Sequence, residues 1–371
     1  IHARAAVPGF RASIMDGYGI AGGAEPPAIG SRWQLVGRSG AGTPFNGGLA
    51  TGEAVRILTG AMVPSGCERV LPQELVQRIT TANGDAIELV KPCGANPWIR
   101  PPEEEAAPGL ALVATGQRLG VADLARLASC GVNTLPVRAR PRIGLLISGD
   151  ELLPPGMERE PGQIWESNSA LLTALLDRLG YVVHTVRVVE DQPEPLRQAL
   201  LELADRCTVV VSTGGVSAGD SDWIRPLVAE LGAVDFWKLF LKPGRPFAFG
   251  ELRGRPFFGL PGNPVAAAIT ALQLLWPALQ ALEGAEPQCL PRLKVRLETE
   301  LRRGAGRPEL ARARLLVADD GALLARTSGS QASSRIGSLQ GADLLLEIPA
   351  ELGALPAGTE LWAQLLRLPL F

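Results

Sequence analysis

The chain has 371 residues, of which 46% are hydrophobic and 20% charged, an ordinary globular composition with room for two or three domains of about 150 residues each. The formal net charge is -2 and no basic run stands out, which argues against a nucleic-acid-binding face. Five widely spaced cysteines contain no C-x-x-C pair, and two histidines are too few for a histidine-based metal centre or a Ser-His-Asp triad. We therefore expect a cytoplasmic protein from a reducing compartment, without a disulfide framework or a zinc site.

The N-terminal third predicts a β-rich domain followed by a helical segment. Residues 1–105 are rich in Gly and Pro and contain short apolar runs, a pattern typical of irregular β structure. Within residues 106–136, Val121, Leu124 and Leu127 have helical spacing and Gly131 is a stop signal. We interpret 106–136 as the helical, linking part of an elongated domain.

Residues 137–286 change to strands that alternate with helices. RIGLLIS, YVVHTVRVV and TVVVS are the predicted strands, each followed by a predicted helix, which favours a mostly parallel sheet with right-handed crossovers. Another strand is then predicted for FWKLFL and a hairpin for FAFGEL-RG-RPFFGL. A long helix is predicted for residues 264–283, with Asn263 as its cap and Pro264 in its first turn. The polar Gln273 and the short length favour a buried globular helix over a membrane span.

Residues 287–371 return to short apolar runs separated by turn signals, which predicts a small, barrel-like β domain. The fold class is therefore α/β plus β. A central, mostly parallel α/β domain would be flanked by an N-terminal β-rich domain and a C-terminal β-barrel-like domain.

Acidic residues follow three successive strands of the predicted sheet. Glu151 follows the first strand, Asp191 the second and Asp222 the third, so all three would lie at the same edge, where open α/β sheets bind ligands. A single acid after a strand is usually a helix cap or a solvated loop residue. Three at one edge, without histidines, indicate a hard cation such as Mg²⁺.

The stretch VVVSTGGVSAGDSDW (209–223) places two glycines directly after a buried strand. Gly214 and Gly215 would let backbone N–H groups point into one concavity beside a helix start, which is a site for phosphate. Ser217 of the same loop belongs to this predicted phosphate-binding set. A tight turn is the commoner reason for a glycine pair and remains the alternative.

Cationic side chains follow in WKLFLKPGRP. On a continuous strand Lys238 and Lys242 would face the same side, with Arg245 in the next turn, and such a set suits a phosphate or pyrophosphate. A solvated strand edge is the alternative. The LPGNP loop, with Gly262 and Asn263 at a helix start, offers a second phosphate site. Together these groups predict a Mg²⁺-assisted reaction at a pyrophosphate.

Seven segments in the same order along the chain resemble the molybdopterin molybdenumtransferases of the MoeA type, which are related to the E domain of gephyrin. The matching segments are MDGYG (15–19), GEAVRILTGAMVPSGCERVLPQE (52–74), SGDELLPPG (148–156), GQIWESN (162–168), STGGVSAGDSDW (212–223), FWKLFLKPGRPFAFG (236–250) and FGLPGNPVAA (258–267). The resemblance implies four domains, a homodimer and a cleft shared between subunits. It also implies the reaction of adenylylated molybdopterin with molybdate to give molybdenum cofactor and AMP, with a divalent cation.

The resemblance also implies roles for individual residues. Asp16 of MDGYG and Thr59 of LTG would line the cleft from the N-terminal domain, while Arg312 and Ser333 would contact molybdate. The family's acidic site positions match Glu151, Asp191 and Asp222, and its phosphate-facing lysines match Lys238 and Lys242.

Two segments depart from the family pattern. RPPEEE (100–105) stands where an arginine-rich turn ending in Gly-Glu-Asp is usual, so Glu105 replaces an aspartate, and QASSRIGS (331–338) replaces a glycine-containing turn. Two other functions stay open at this point. One is molybdopterin adenylyltransfer, since related single-domain proteins share the 143–283 unit, and the other is a non-catalytic, gephyrin-like scaffold. The flanking β domains argue against the first, and the retained acids argue against the second.

Overall fold

A computed structural model of the chain describes residues 1–22, 25–215, 223–327 and 329–367. Its contacts divide the chain into two compact units, Ile1–Pro136 and the chain from Val137 onward. The five cysteines are unpaired thiols, and all except Cys289 are buried. Burial raises the pKa of the Cys67 thiol to about 11, so that thiol is protonated and unreactive at neutral pH.

The first unit contains a six-stranded sheet and a separate two-stranded pair. Its strands are β1 (Ala12–Ser13), β2 (Gly17–Ala21), β3 (Arg32–Ser39), β4 (Glu53–Ile57), β5 (Cys67–Pro72), β6 (Val76–Thr81), β7 (Gly84–Leu89) and β8 (Ile99–Arg100). The larger sheet has the order β5-β2-β4-β3-β7-β6, and β1 pairs with β8. This is the β-rich N-terminal domain that the Gly- and Pro-rich sequence predicts.

The glycine of the MDGYG segment is required by close packing of strands. Strand β2 pairs antiparallel with both β4 and β5. A Cβ atom on Gly17 would lie 2.0 Å from the carbonyl oxygen of Leu71 on β5, so no other residue fits there without separating the strands. The adjacent Asp16 is thereby held at the end of a central strand.

Two short helices complete the first unit: a 3₁₀ turn (Gln73–Leu75) and α1 (Val121–Ser129). The predicted helix is present and is followed by Gly131 with φ +80°, a left-handed stop. Its predicted apolar face is only partly buried, because Leu127 lies in the core while Val121 and Leu124 are more than half exposed.

The second unit is built on a six-stranded sheet, with a small parallel pair beside it. The strands are β9 (Ile143–Ser148), β10 (Leu152–Leu153), β11 (Ile164–Trp165), β12 (Val183–Val189), β13 (Val209–Thr213), β14 (Gly232–Trp237), β15 (Ala248–Leu252) and β16 (Arg255–Leu260). The sheet order is β12-β9-β13-β16-β15-β14, and β10 pairs with β11. The first four strands of the sheet are parallel, and β15 and β14 are antiparallel to their neighbours.

Helices cover both faces of this sheet. They are α2 (Asn168–Arg178), α3 (Pro193–Arg206), α4 (Ile224–Leu231), α5 (Pro264–Thr270) and α6 (Trp276–Leu282), with a π-helical turn (Ala271–Leu275) between the last two. Residues of α2, α5 and α6 pack against one face of the sheet and residues of α3 and α4 against the other. The alternation of strands and helices predicted from the sequence is confirmed.

The predicted strand FWKLFL is shorter than expected. Strand β14 ends at Trp237, and Lys238 has φ +82°, a left-handed conformation that breaks the extended geometry. The prediction that Lys238 and Lys242 share one face of one strand is therefore wrong.

The long apolar helix from α5 to α6 is the one segment of the described chain with the length and composition of a membrane span, and 61% of its most apolar window is buried inside the protein. It packs on the central sheet through Ala267, Ala271 and Leu275, among others, and against the barrel residues Leu310 and Leu345 through Val265 and Ile269. This agrees with the buried globular helix predicted from the sequence.

The last part of the chain forms a closed five-stranded barrel, as the short runs predict. Its strands are β17 (Arg292–Leu297), β18 (Glu309–Val317), β19 (Leu323–Thr327), β20 (Leu344–Ile348) and β21 (Glu360–Leu365), with a 3₁₀ turn (Ile336–Leu339) before β20. The barrel order is β17-β19-β18-β20-β21. Strand β18 connects the barrel to the α/β sheet domain, because its first residue, Glu309, forms a backbone bridge with Lys242.

Candidate active site

The carboxyl ends of β9, β12, β13 and β16 open into a cavity of about 1000 Å³. Parallel strands end at the same edge, so the loops that follow them converge there. The loop before β15 and the 331–336 segment of the barrel domain complete the wall of this rim cavity.

Two of the three predicted acidic residues line this cavity, Glu151 after β9 and Asp191 after β12. Asp222 and Ser217 lie outside the described residues. Within the described ranges no three His, Cys, Asp or Glu side chains form a metal-binding group. The described residues therefore supply two of the three carboxylates that the sequence assigns to a cation.

Asp191 is a partly buried acidic residue of this cavity whose carboxyl pKa is shifted by its surroundings. Burial raises the pKa of its carboxyl group, and the nearby carboxylates of Asp150 and Glu151 raise that pKa further. The Ser148 hydroxyl lies beside this carboxylate and opposes the shift, but neither Ser148 Oγ nor Asp191 Oδ1 has a well-aligned hydrogen bond, although both are buried. An oxygen in that position is available to a cation or a proton.

Gly214 and Gly215 line the cavity and have φ +84° and +60°. A Cβ atom on Gly214 would lie 2.4 Å from the carbonyl oxygen of Ser148, and one on Gly215 would lie 2.5 Å from Ile224 Cγ1. Both glycines are thus required by conformation and by close packing. These contacts support the alternative interpretation, in which the glycine pair is needed for a tight turn. Phosphate binding by the two glycines stays a prediction.

The LPGNP loop also reaches the cavity, with Gly262 and Asn263 in its wall. Asn263 occupies the N-cap position of α5, but its side chain makes no capping hydrogen bond and instead donates from Nδ2 to Ser333 Oγ at 3.1 Å. Val265 N donates to the Ser333 carbonyl at 3.1 Å. Asn263 is thus the N-cap residue that the sequence predicts, but it is the Ser333 carbonyl, and not the Asn263 side chain, that accepts from the first turn of this helix.

Lys242 and Arg245 line the cavity, whereas Lys238 is exposed and is not among its lining residues. The Lys242 ammonium forms an ion pair with Glu309 at 3.0 Å. Of the two lysines that the sequence predicts, the structure therefore places one at the cavity.

Of the two predicted molybdate contacts, Ser333 lines the cavity and Arg312 is 1% exposed. Arg312 Nε donates to Ser338 Oγ at 3.1 Å and Nη2 to the Ala332 carbonyl at 3.1 Å, while Nη1 is buried without a partner. Burial lowers the pKa of this guanidinium. Arg312 thus lies behind the 331–336 segment, with part of its donor capacity unused.

Sequence reasoning did not assign Asn168 and Arg307, which also line the cavity. Asn168 Nδ2 donates to the Gly262 carbonyl at 2.7 Å and to Thr213 Oγ1 at 3.3 Å, so it joins two of the converging loops. Its Oδ1 is buried without a partner. In sequence, Asn168 stands before a helical run and is indistinguishable from an ordinary helix cap.

Asp16 and Thr59 form a pair within the first unit. Asp16 Oδ1 accepts hydrogen bonds from Thr59 N at 2.7 Å and from Thr59 Oγ1 at 2.8 Å. The backbone hydrogen bond, followed by the hydroxyl, lowers the pKa of the Asp16 carboxyl, with a smaller contribution from Arg56. The exposed carboxylate is therefore ionised and oriented.

The unusual RPPEEE segment is held by two ion pairs. Arg100 pairs with Glu104, and Arg126 Nε contacts Glu105 Oε1 at 3.0 Å. Glu105 thus connects this loop to helix α1.

Comparison with known proteins assigns nearly the whole chain. Residues 1–131 match the MoeA N-terminal region (domain I and II), residues 144–281 the probable molybdopterin binding domain, and residues 294–366 the MoeA C-terminal region (domain IV). A molybdopterin molybdenumtransferase of Haemophilus influenzae is 32% identical over 95% of this chain and 86% of its own length. The molybdenum cofactor synthesis protein cinnamon of Drosophila melanogaster is 31% identical over 93% of this chain and 57% of its own length.

Among solved structures, a molybdopterin biosynthesis MoeA protein from Pyrococcus horikoshii superposes with a TM-score of 0.73 at 28% identity, covering 99% of this chain and 90% of that chain. The fold and the similarity to these relatives define a multidomain transferase with a role in molybdenum cofactor biosynthesis. The chain belongs to the MoeA family of molybdopterin molybdenumtransferases.

Proposed function

We propose that this enzyme inserts molybdenum from molybdate into adenylylated molybdopterin and releases AMP, in a Mg²⁺-dependent reaction. One observation carries the proposal. The rim cavity has acidic side chains on one wall, Glu151 and Asp191, and cationic ones on another, Lys242 and Arg245. A pyrophosphate and its counter-cation need both kinds of group.

The cationic wall would bind the anionic substrates. Lys242 and Arg245 donate charged hydrogen bonds, and Ser333 and Asn168 offer a hydroxyl and an amide at the same cavity. Molybdate is a tetrahedral dianion, so it requires donors of this kind. The dithiolene sulfurs that receive molybdenum belong to the substrate, so the protein needs no cysteine nucleophile for this exchange. Its task is to hold two anions next to each other while a water molecule cleaves the pyrophosphate bond, leaving the phosphate on the pterin and releasing AMP.

The acidic wall fits a hard cation. The buried Asp191 Oδ1 has no hydrogen-bond partner, and Glu151 lines the same cavity; carboxylate oxygens are the ligands that Mg²⁺ prefers. Glu151 and Asp191, together with Asp222, would hold the ion. When bound there it would neutralise charge on the pyrophosphate.

The same proposal includes a cytoplasmic homodimer in which each cleft is built from two chains. The Asp16–Thr59 pair motivates it, because an oriented, exposed carboxylate belongs to the first unit, whereas the rim cavity belongs to the second. If each cleft combined the first unit of one chain with the second unit of its partner, it would use both the Asp16–Thr59 pair and the rim cavity.

The test is a quantitative assay of AMP release and cofactor formation from adenylylated molybdopterin, with and without molybdate, over a Mg²⁺ titration. We expect AMP to appear with cofactor and to depend on both additions. Formation of adenylylated molybdopterin from ATP and molybdopterin, without molybdate-dependent AMP release, would instead support adenylyl transfer. Inactivity in every assay would support a scaffold.

A further inference from the structure

Lys242 is the only cavity lysine among the described residues, and it is fixed to the barrel by its backbone. Lys242 N donates to the Pro308 carbonyl at 2.9 Å, and Leu310 N donates to the Lys242 carbonyl at 2.8 Å. These bonds form a parallel bridge between Lys242 and Glu309. The bridge places the Lys242 backbone directly beside the first residue of β18.

The side chains at this bridge also pair. Lys242 Nζ lies 3.0 Å from Glu309 Oε1 and donates to Glu309 Oε2 at 3.1 Å. The Glu309 side chain is 3% exposed, whereas that of Lys242 is 45% exposed. One end of the pair is therefore buried, and the other is about half exposed to solvent.

Glu309 is itself held from behind. Arg303 Nε contacts Glu309 Oε2 at 3.1 Å, and the Arg303 side chain is 4% exposed. Arg303 also donates to the carbonyls of Pro349 at 3.1 Å and Arg307 at 2.7 Å. The carboxylate consequently has little freedom to move, and its charge is compensated on the side away from Lys242.

We infer that Glu309 is a positioning residue that holds the Lys242 ammonium in the cavity wall. Lys242 borders two spaces, the rim cavity and a neighbouring cavity of about 590 Å³ that is also lined by Arg303 and Glu309. A lysine side chain has four rotatable bonds, and its ammonium would otherwise sample both spaces. The Glu309 carboxylate restricts it to their boundary, where its remaining N–H groups would be available to an anion in the rim cavity.

This inference rests on the proposed function in one respect only, which is the identity of the anion that Lys242 binds. The pair itself is a property of the fold. Two measurements therefore separate the positioning role from the substrate assignment: chemical labelling of lysines, which needs no substrate, and binding of inorganic pyrophosphate, which tests the anion.

Two variants test this role. Glu309→Gln removes the negative charge at nearly constant side-chain volume. Glu309→Asp keeps a carboxylate as a partner for Arg303, but its side chain is one methylene shorter, so the carboxylate lies farther from Lys242. Glu347→Gln is the matched control, because Glu347 also pairs with a barrel arginine, Arg292, at 2.6 Å but lines neither the rim cavity nor the neighbouring cavity that Glu309 lines. Thermal melts identify folded variants, and Glu309→Asp serves if Glu309→Gln does not fold.

Labelling with an acetylating reagent, quantified by peptide mass spectrometry against Lys238, should modify Lys242 several-fold faster in both Glu309 variants than in the wild type and the control. Pyrophosphate should bind about tenfold more weakly in Glu309→Gln, roughly the effect of ordering one free lysine side chain. In a Lys242→Met background, Glu309→Gln should have no further effect on that affinity.

Unchanged labelling of Lys242 in folded Glu309 variants would overturn the positioning role, and so would additive effects of the two substitutions on pyrophosphate affinity. Faster labelling with unchanged pyrophosphate affinity would retain Glu309 as the residue that holds Lys242 and would overturn the proposed phosphate contact of Lys242.

Discussion

Asp191 lies at the end of β12 with one carboxylate oxygen buried and without a hydrogen-bond partner. Burial raises the pKa of this group, so the folded state holds its proton more tightly than the unfolded state does. At pH values above the pKa that Asp191 has in the unfolded chain, the group therefore destabilises the folded protein. This destabilisation decreases as the pH falls through the higher pKa of the folded state, and it is gone below the pKa of the unfolded state. Such a residue is better explained by ligand binding than by stability.

Asp191→Asn should accordingly leave the thermal midpoint at neutral pH unchanged or higher, while Mg²⁺-dependent AMP release falls by about 100-fold or more, the scale of a lost charge at a reacting group. The control is Asp150→Asn. In the wild type Asp191 N donates to Asp150 Oδ1 at 2.9 Å, and the asparagine oxygen can still accept this hydrogen bond. This substitution should therefore lower the rate of AMP release much less. Wild-type rates for Asp191→Asn at every Mg²⁺ concentration would contradict the role in cation binding.

The Asp16–Thr59 pair makes a prediction about acid stability. Hydrogen bonds from Thr59 lower the pKa of the Asp16 carboxyl, so the stability it contributes is present above the unfolded pKa of about 3.9 and is lost as the pH falls through the lowered folded value. Thr59→Val removes the hydroxyl donor, and Thr59→Ser keeps it.

Thermal unfolding over the acid range should show Thr59→Val less stable than Thr59→Ser near neutral pH, with the difference shrinking once Asp16 is protonated. Both variants keep the backbone N–H of residue 59. Valine differs from the wild-type threonine only in the hydroxyl, so the pH dependence of the wild-type-to-valine difference isolates that group, and Thr59→Ser controls for the methyl. A difference that persists unchanged to the lowest pH would assign it to packing of the side chain.

The loop after β13 shows, at the level of a single element, why a glycine pair follows a buried strand. Gly214 has a left-handed φ, and its position leaves no room for a Cβ atom next to the Ser148 carbonyl. Gly254, in the two-residue turn of the β15–β16 hairpin, has φ +77° but open space where a Cβ atom would stand. The two glycines share a backbone conformation and differ in their surroundings.

Gly214→Ala should therefore destabilise the protein by about 2–5 kcal/mol, the sum of left-handed strain and a steric clash. Gly254→Ala should cost only about 1–2 kcal/mol, from strain alone. Urea unfolding of the two variants measures both values, and equal destabilisation would show that the contact with Ser148 contributes nothing.

At the scale of secondary structure, periodicity predicted most elements with their type and order. The alternation in 137–286, the RG hairpin and the long apolar helix are all local patterns, and they are confirmed. The exception is FWKLFL. Its apolar residues predict a strand through Leu241, but the strand ends at Trp237 because Lys238 has a left-handed backbone conformation. Apolar content alone does not encode a single left-handed residue.

At the scale of the whole molecule, the proposed shared cleft predicts complementation between variants. If each cleft uses the first unit of one chain and the second unit of the other, a mixed dimer of Asp16→Asn and Asp191→Asn has one cleft with both changes and one with neither. Co-refolded mixtures should then recover about a quarter of wild-type AMP release, as random pairing of two chain types requires.

Each variant alone should be inactive, and light scattering should report about twice the 39.1 kDa of one chain. No recovery in a mixture shown by light scattering to be dimeric would place each cleft within a single chain. A fully active monomer would contradict the dimer itself.

The sequence by itself determined the α/β plus β architecture, the family, and the placement of Glu151 and Asp191 at one edge of the sheet. These features follow from periodicity and from the rule that parallel strands end together, so they are written in short stretches of chain. The tertiary structure alone decided that Glu309 pairs with Lys242 across 67 residues, that the Asn263 side chain donates to Ser333 and makes no capping hydrogen bond, and that Arg312 lies buried behind the 331–336 segment. The physical reason is that the first two contacts join the barrel to the α/β sheet domain and the third joins distant parts of the barrel. Their geometry depends on how the barrel closes and where β18 begins, which no local pattern specifies.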